Sequence, residues 1–568
     1  MPTLPFPEYR PDVSPHFGDY SANISGVVAR GDGYGPFPAF IAATSALPAA
    51  CRGFFYARNT DASVSIFAGT ATDLFLLNNT TQAWKPVSLP VALTSISNAS
   101  PAVVTLNSHG LSIGDPIVFS TTGGLPTGLT VGTTYYVITA GFTANAFQVS
   151  ATSGGTAINT SSAGSGTHSY TAHYATIATT GQWQFRQFNK YVIAVHQNIA
   201  PQVFDLTSST AFAALGGSPP QAAYISIINR FVVLTGIASP SSYDVQWSDL
   251  NGITTWDGTG QSDTQTMPDG GVTMGVTGGE FGVVFQNTSL RRMTYAPGTP
   301  YVFSFDRISS GDGLYAPYSL IDAGDRIFFC SLTGFKMMQG GSYPVPIGKE
   351  KVDRTFFADV DASNLHLMIG AADPRKTRVY WAYKSVNGAS GKFDTILCYD
   401  WALEKWSKLS IAGEYLAAIS RPGLTLEGID AAYGSSIDAL TIYSLDDVPN
   451  ASIVEISAID DTHKLGYFTG QAIEATIETK EMAADGKRIF VRGFYPVGDA
   501  ATVYGSVSYR ETEQESTTYT SESLVNAVGM CPQRVSTRFS RGKVRIPAAT
   551  SWTYVAGVRP DYAIEGER

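Results

Sequence analysis

The chain has 568 residues, enough for three to four units at about 100–200 residues per domain. Hydrophobic residues make up 44 % and charged residues 15 %, against a usual charged share of about 25 %; with 56 Gly, 29 Tyr and 30 Phe this excludes wholesale disorder and points to strands and turns rather than helices. The net charge of −10, with no large basic cluster, argues against a protein that grips nucleic acid, because grip comes from Lys and Arg replacing phosphate counterions; a wall of the same sign as DNA still allows sliding contact.

Residues 1–50 are rich in proline and read as an extended arm. The segment Arg30 to Phe40, RGDGYGPFPAF, is turn-rich and aromatic and suits a neighbouring surface. Its Arg30-Gly31-Asp32 triplet invites an adhesion reading, but such a triplet in a Gly-rich turn is commonly chance. The N-terminus has prolines and acids where a signal peptide has a basic start and an apolar run, and no stretch approaches the ~20 apolar residues of a membrane span. The expectation is a protein made and kept in a cytoplasm until lysis.

From Cys51 onward short apolar runs recur between Gly, Asn, Asp and Ser turns. Examples are VSIFAGT, YVIAVHQ (191–197), RFVVLTGI (230–237), RIFFCSL (326–332) and VYWAYKS (379–385). One repeat is more specific. DLFLLNNTTQAW (73–84) and TILCYDWALEKW (395–406) both run strand, polar residue, turn, Trp, with Asn78 and Asp400 six residues before Trp84 and Trp406. Looser versions are PQVFDLTSSTAF (201–212) and VQWSDLNGITTW (245–256). Four-stranded units every ~40–50 residues indicate a β-propeller, with about six units between residues 51 and 430. A pair of ordinary sandwiches is the alternative.

Residues 93–172 turn to Thr, Ser, Gly and Ala with almost no charge and read as a small β domain inserted in a propeller loop. HGLSIGD, LPTGL, TYYV, FQVS and the GGT turn resemble a small β module inserted in phage structural proteins, likened to the first catalytic-cysteine half-domain of ubiquitin-activating enzymes. The resemblance implies a virion-type protein. It implies no ubiquitin chemistry, since the stretch has no cysteine and no nucleotide site.

Residues 431–450 read as a loop closing the body, which spans 51–92 and 173–450. A C-terminal β domain, sandwich-like, follows over 451–568. In it Val503, Gly505, Val507 and Tyr509 alternate with Tyr504, Ser506 and Ser508, so one face is expected to be wet. The final AIEGER reads as a frayed or partner-bound tail.

No catalytic constellation stands out. Cys51, Cys330, Cys398 and Cys531 are scattered and read as reduced, mostly buried thiols. The histidines, at 16, 109, 168, 173, 196, 366 and 463, form no metal-like pair; His168 and His173 are five apart and read as surface residues. GxSxG, GxxxxGK[ST] and HExxH motifs are missing, and GDGYG (31–35) is uninformative. A glycosidase needs two facing carboxylates. WSDLNGITTW is one imperfect copy of a sialidase-type Asp box, and Glu280, Asp306 and Asp353 are ordinary acidic candidates. No cofactor, metal or catalytic residue is assigned, and the expectation is a non-enzyme. Arg291 and Arg292 in TSLRRMTY, and Arg375, Lys376 and Arg378 in DPRKTRVYW, are the candidates for contact with DNA or an acidic partner. For the first pair, a strand-end charge pair facing water is the plainer reading.

The whole arrangement resembles the nozzle, or tail-stabilisation, proteins of podovirus-type phages. The resemblance is carried by VVARGDGYGPFPAF leading into LPAACRGFFYARNTDASVSIFAGTATDLFLL, by the propeller-like body, and by KRIFVRGFYPVG with the closing SWTYVAGVRPDY. It implies a homo-oligomeric ring of six copies in the virion tail, assembled in the bacterial cytoplasm. Its partners would be the portal, its adaptor and other tail proteins, with tail fibres as a further neighbour. Double-stranded DNA would pass through transiently. The alternative is a glycan-binding or glycan-cleaving propeller that recognises a receptor.

Overall fold

A computed structural model describes residues 3–14, 20–21, 23–171, 174, 180–421, 453–483 and 487–565. The body is a β-propeller of seven four-stranded antiparallel sheets among these residues. Six blades are continuous in sequence. Blade 1 runs from Phe54–Arg58 to Ala83–Pro86, blade 2 from Gln184–Phe188 to Ala213–Ala214, and blade 3 from Ala222–Ile228 to Asp263–Thr266. Blade 4 runs from Thr273–Val276 to Phe303–Ser310, blade 5 from Ile321–Asp322 to Val345–Pro346, and blade 6 from Ile369–Asp373 to Lys405–Leu409. The first strand of each lies innermost. Second strands such as Phe231–Ile237 and Arg378–Tyr383 are buried along nearly their whole length, because each blade is covered on both faces by its neighbours. This is why they read as continuous apolar runs.

The Trp repeat marks the hairpin between third and fourth strands. Asn78 Oδ1 accepts the Thr80 and Thr81 amides at 2.9 and 3.1 Å, and Asp400 Oδ1 accepts the Ala402 and Leu403 amides at 3.2 and 3.3 Å. The Trp opening the next strand then packs inward: Trp406 is fully buried and Trp84 nearly so.

The six units expected between residues 51 and 430 are the six continuous blades, and a seventh, not foreseen, is assembled from distant parts of the chain. Its strands are Tyr415–Arg421, Ile453–Ile459, Lys464–Ala472 and, outermost, Pro38–Ala46. Two boundaries therefore move. The described residues of 1–50 are not an extended arm, and the C-terminal domain begins after Ala472 rather than at 451. The loop reading for 431–450 lies outside the described residues.

The N-terminal segment threads the C-terminal domain before it reaches the propeller. Leu4–Pro5 pairs with the strand Val555–Ile564, and Ile24–Ser25 pairs with Ala475–Glu478. The hairpin of Val27–Arg30 and Gly33–Pro36 joins the same sheet as Val555–Ile564 through Tyr34. The domain comprises two main sheets, in keeping with a sandwich. The expected wet face is also corrected: Ser506 and Ser508 are buried, and Ser508 Oγ accepts the Arg541 amide at 2.8 Å. A short hydroxyl satisfied by backbone tolerates burial, so it imitates a solvent face in sequence. Ile564, inside the expected tail, ends a strand, and 566–568 lie outside the described residues.

Between blades 1 and 2 the chain builds a separate seven-stranded sheet over 90–171. It has its own core around Ile117, Phe119, Val137, Phe147 and Tyr170.

Where the N-terminal segment crosses from one C-terminal sheet to the other, Gly26 has φ +72°, and a Cβ there would stand 1.9 Å from Glu474 O. Gly26→Ala is expected to lower the unfolding free energy by about 1–3 kcal/mol in urea titration. Gly31→Ala, with nothing within 4 Å of its Cβ position, is expected to change it by less than ~0.5 kcal/mol.

Candidate functional site

The seven inner strands enclose an axial cavity of about 410 Å³, to which every blade contributes. Its wall mixes aliphatic and small residues with aromatic ones, among them Tyr56, Phe185, Tyr224, Tyr318 and Tyr415. A DNA duplex, whose major groove alone is ~12 Å wide and ~8.5 Å deep, does not fit a cavity of that size. The propeller axis is therefore not a DNA conduit. A second cavity of about 590 Å³ opens beside it and shares Tyr56, Asp322, Ala372 and Ala418 with it.

The five basic candidates are not brought together. Arg375 and Lys376 sit on the exposed turn between the first two strands of blade 6, where they line the second cavity beside Trp401. Asp373 shapes this turn by accepting the Arg375 amide at 2.9 Å. Arg378, on the next strand, is turned inward. It donates to Asp400 Oδ2 at 3.1 Å and to Ala29 O at 3.0 Å, so it fastens blade 6 to the N-terminal hairpin and is not a free contact. Sequence reasoning missed this because the partner carbonyl lies 349 residues away.

Arg291 and Arg292 lie on the third strand of blade 4. Arg291 bonds Gln286 Oε1 at 3.1 Å and pairs with Asp269, which also takes Arg307. Arg292 lies 4.0 Å from Asp306 and its side chain is 43 % exposed. Local carboxylates thus balance most of this charge. Arg292, Arg375 and Lys376 keep side chains within a partner's reach.

A polar cluster the sequence did not flag joins blade 7 to blade 1. Glu414 takes His463 Nδ1 at 2.6 Å on one oxygen and the Cys51 amide at 2.8 Å on the other, and the Leu47 amide donates to His463 O at 2.8 Å. Burial raises the Glu414 pKa, opposed by the Cys51 amide and His463. His196, on blade 2, is 1 % exposed; its Nδ1 accepts the Asn198 amide at 3.2 Å, and its Nε2 has no partner among the described residues. Burial, reinforced by the nearby Arg52 charge, pushes His196 and His366 down to about 4.

The remaining singled-out residues are dispersed. The Arg30-Gly31-Asp32 turn links two strands, with Arg30 Nε on Asp32 at 3.0 Å. Glu280 sits on a loop, and Asp306 faces Arg292. Asp353 opens the short helix Asp353–Asp359 and accepts the Phe335 amide at 3.0 Å. His168, expected at the surface, is buried at 9 % exposure, with Nδ1 on Thr121 Oγ1 at 2.9 Å. His16 and His173 lie outside the described residues. All four cysteines are free and buried. Among the described residues no group of three or more His, Cys, Asp or Glu could hold a metal ion, and no helix is long and apolar enough to cross a membrane.

No family model and no curated protein matches the sequence. Solved structures with similarity include the Pan2 WD40 domain of Neurospora crassa, at 10 % identity over 66 % of this chain and 87 % of that one, with a TM-score of 0.29. BamB from Moraxella catarrhalis is 12 % identical over 55 % of this chain and 92 % of its own, with a TM-score of 0.21. YCF48 from Cyanidioschyzon merolae is 7 % identical over 54 % and 87 %, with a TM-score of 0.25. The propeller assignment rests on the chain's own seven sheets.

Arg378→Ala is expected to cost about 2–4 kcal/mol by chemical denaturation, because it leaves the buried Asp400 without its cation. Arg375→Ala with Lys376→Ala is expected to stay within about 0.5 kcal/mol. A second expectation concerns pH. His196 and His366 protonate near 6.5 when unfolded but only near 4 when folded, so their contribution is complete above 6.5 and is lost as pH falls towards 4. Asp353, pushed up to about 6 by burial, acts in the opposite sense, so the informative quantity is a difference between proteins. The urea midpoint of His196→Gln should fall less than that of the parent between pH 7 and pH 4.5.

Proposed function

We propose that this chain is a structural subunit of a short-tailed bacteriophage tail. In this reading six copies form a nozzle ring that continues the DNA channel below the portal and adaptor, helps retain the genome and then lets it out. The observation that carries the reading is a shared core. Phe328, Trp381 and Trp406 of blades 5 and 6 pack in one hydrophobic cluster with Phe6, Tyr9 and Ile24 of the N-terminal segment and with Ile477, Phe494 and Val507 of the C-terminal domain. Propeller and terminal domain thus share one core among the described residues, which suits a ring that guides a stiff polymer.

Three further features agree. Tyr301, Tyr343 and Val345, at the outer parts of blades 4 and 5, are 76 %, 61 % and 53 % exposed and can anchor subunit contacts. The net charge of −10 suits a wall along which DNA slides without being held. Because the propeller axis is narrow, the conduit in this reading is the space between subunits.

The test is the mass of the purified full chain, alone and with its own neck components, together with negative-stain images. Rings of six copies with a central hole wide enough for duplex DNA are the expected result. Tyr343→Asp with Val345→Asp should weaken ring formation while leaving the melting temperature within a few degrees. A stable monomer that never joins the tail, or a compact trimer, would overturn the reading and turn attention to receptor glycans and a glycan-cleavage assay.

A further inference from the structure

The axial cavity holds an unusual pair of charges. Arg186, on the inner strand of blade 2, lines the cavity, and its guanidinium makes one hydrogen bond among the described residues, from Nη1 to Phe185 O at 2.8 Å. A guanidinium has five N–H donors, so most of this one's are left for whatever fills the cavity. Asp322 ends the inner strand of blade 5, lines the same cavity and accepts the Gly324 amide at 3.2 Å. The two groups interact electrostatically, yet no ion pair joins them. Among the described residues they are the one cation and the one anion lining a wall that is otherwise aromatic, aliphatic or neutral polar.

Desolvation disfavours both charges where they stand, lowering the Arg186 pKa and raising that of Asp322. A desolvated guanidinium with unused donors is costly unless a partner arrives, and a carboxylate is the partner its fork geometry fits, with two parallel hydrogen bonds. Asp322 offers the complementary site for an ammonium, and Tyr56 and Tyr224 supply aromatic surface that favours a cation or an apolar body. At 410 Å³ the cavity falls within the ~300–1,000 Å³ of ordinary small-molecule sites.

We propose that the axial cavity binds a small zwitterion of the amino-acid type, its carboxylate on Arg186 and its ammonium towards Asp322. This function is separate from ring assembly and does not depend on it.

Isothermal titration of the full chain tests the proposal, with glycine, 4-aminobutyrate and phenylalanine as zwitterions and acetate and methylammonium as single-charge controls. At least one zwitterion should bind saturably, one per chain, and at least tenfold more tightly than either control. Arg186→Gln and Asp322→Asn should each weaken that binding tenfold or more with an unchanged melting temperature. If Arg186→Gln fails to fold, Asp322→Asn and the ligand series decide. The proposal is overturned if no zwitterion binds saturably up to about 10 mM, weaker than the millimolar end of specific recognition. It is equally overturned if acetate matches the zwitterions, or if Asp322→Asn binds them as the parent does.

Discussion

The pairing of Pro38–Ala46 with Lys464–Ala472 is the contact on which the rest of the structure depends. It supplies the outer strand of blade 7, and with that strand in place blade 7 is held to both ends of the chain. The Leu465 amide donates to Thr44 Oγ1 at 3.1 Å across 421 residues of sequence, so this closure is a non-local contact. Such non-local pairing carries the loop-closure entropy of the intervening chain and slows folding. Once made, it fixes the spacing between Tyr415 and Phe54, whose rings lie 5.4 Å apart across the join, and hence the bore of the axial cavity.

The same N-terminal segment explains why the molecule is one body. Before entering blade 7 it lends strands to both C-terminal sheets and lays its backbone along the outer strand of blade 6. There Lys405 donates to the Arg30 carbonyl at 3.1 Å and the Gly26 amide donates to Lys408 O at 3.1 Å, while Arg378 on the second strand of the blade donates to the Ala29 carbonyl at 3.0 Å. Asp12 adds a further tie, accepting the Arg354 and Thr355 amides at 2.8 and 2.7 Å at the start of the short helix. Charged side chains that read as a basic surface patch are in part the fasteners of this seam. The sheet at 90–171 is the exception, since its hydrophobic core is its own.

The axial cavity follows from blade geometry. Seven inner strands leave a space too small for a nucleic acid and large enough for a small molecule. In that space Arg186 is half-buried, whereas Asp322 is exposed to solvent. Any DNA path must therefore run outside the propeller axis, while the axis itself is free for a different task.

How much of this is legible in one dimension depends on range. The propeller strands, the Asx turns at Asn78 and Asp400 and the Trp residues that follow them are local: a period of apolar residues and a turn residue at a given offset dictate a hairpin wherever it sits. The composition break near residue 93 is local in the same way, and so is the absence of recognisable catalytic motifs. The seventh blade, the inward turn of Arg378 and the juxtaposition of Arg186 with Asp322 are not, because each depends on partners 100 or more residues distant and carries no periodic signal. Ser506 and Ser508 mislead for a related reason, since a hydroxyl reads as polar whether water or a backbone amide satisfies it. The sequence by itself determined an all-β chain of repeated hairpins with an inserted module; only tertiary structure decided how many blades close the ring, which end closes it and which charges face its axis, because closure is a property of strand pairing across the whole chain and not of any one stretch.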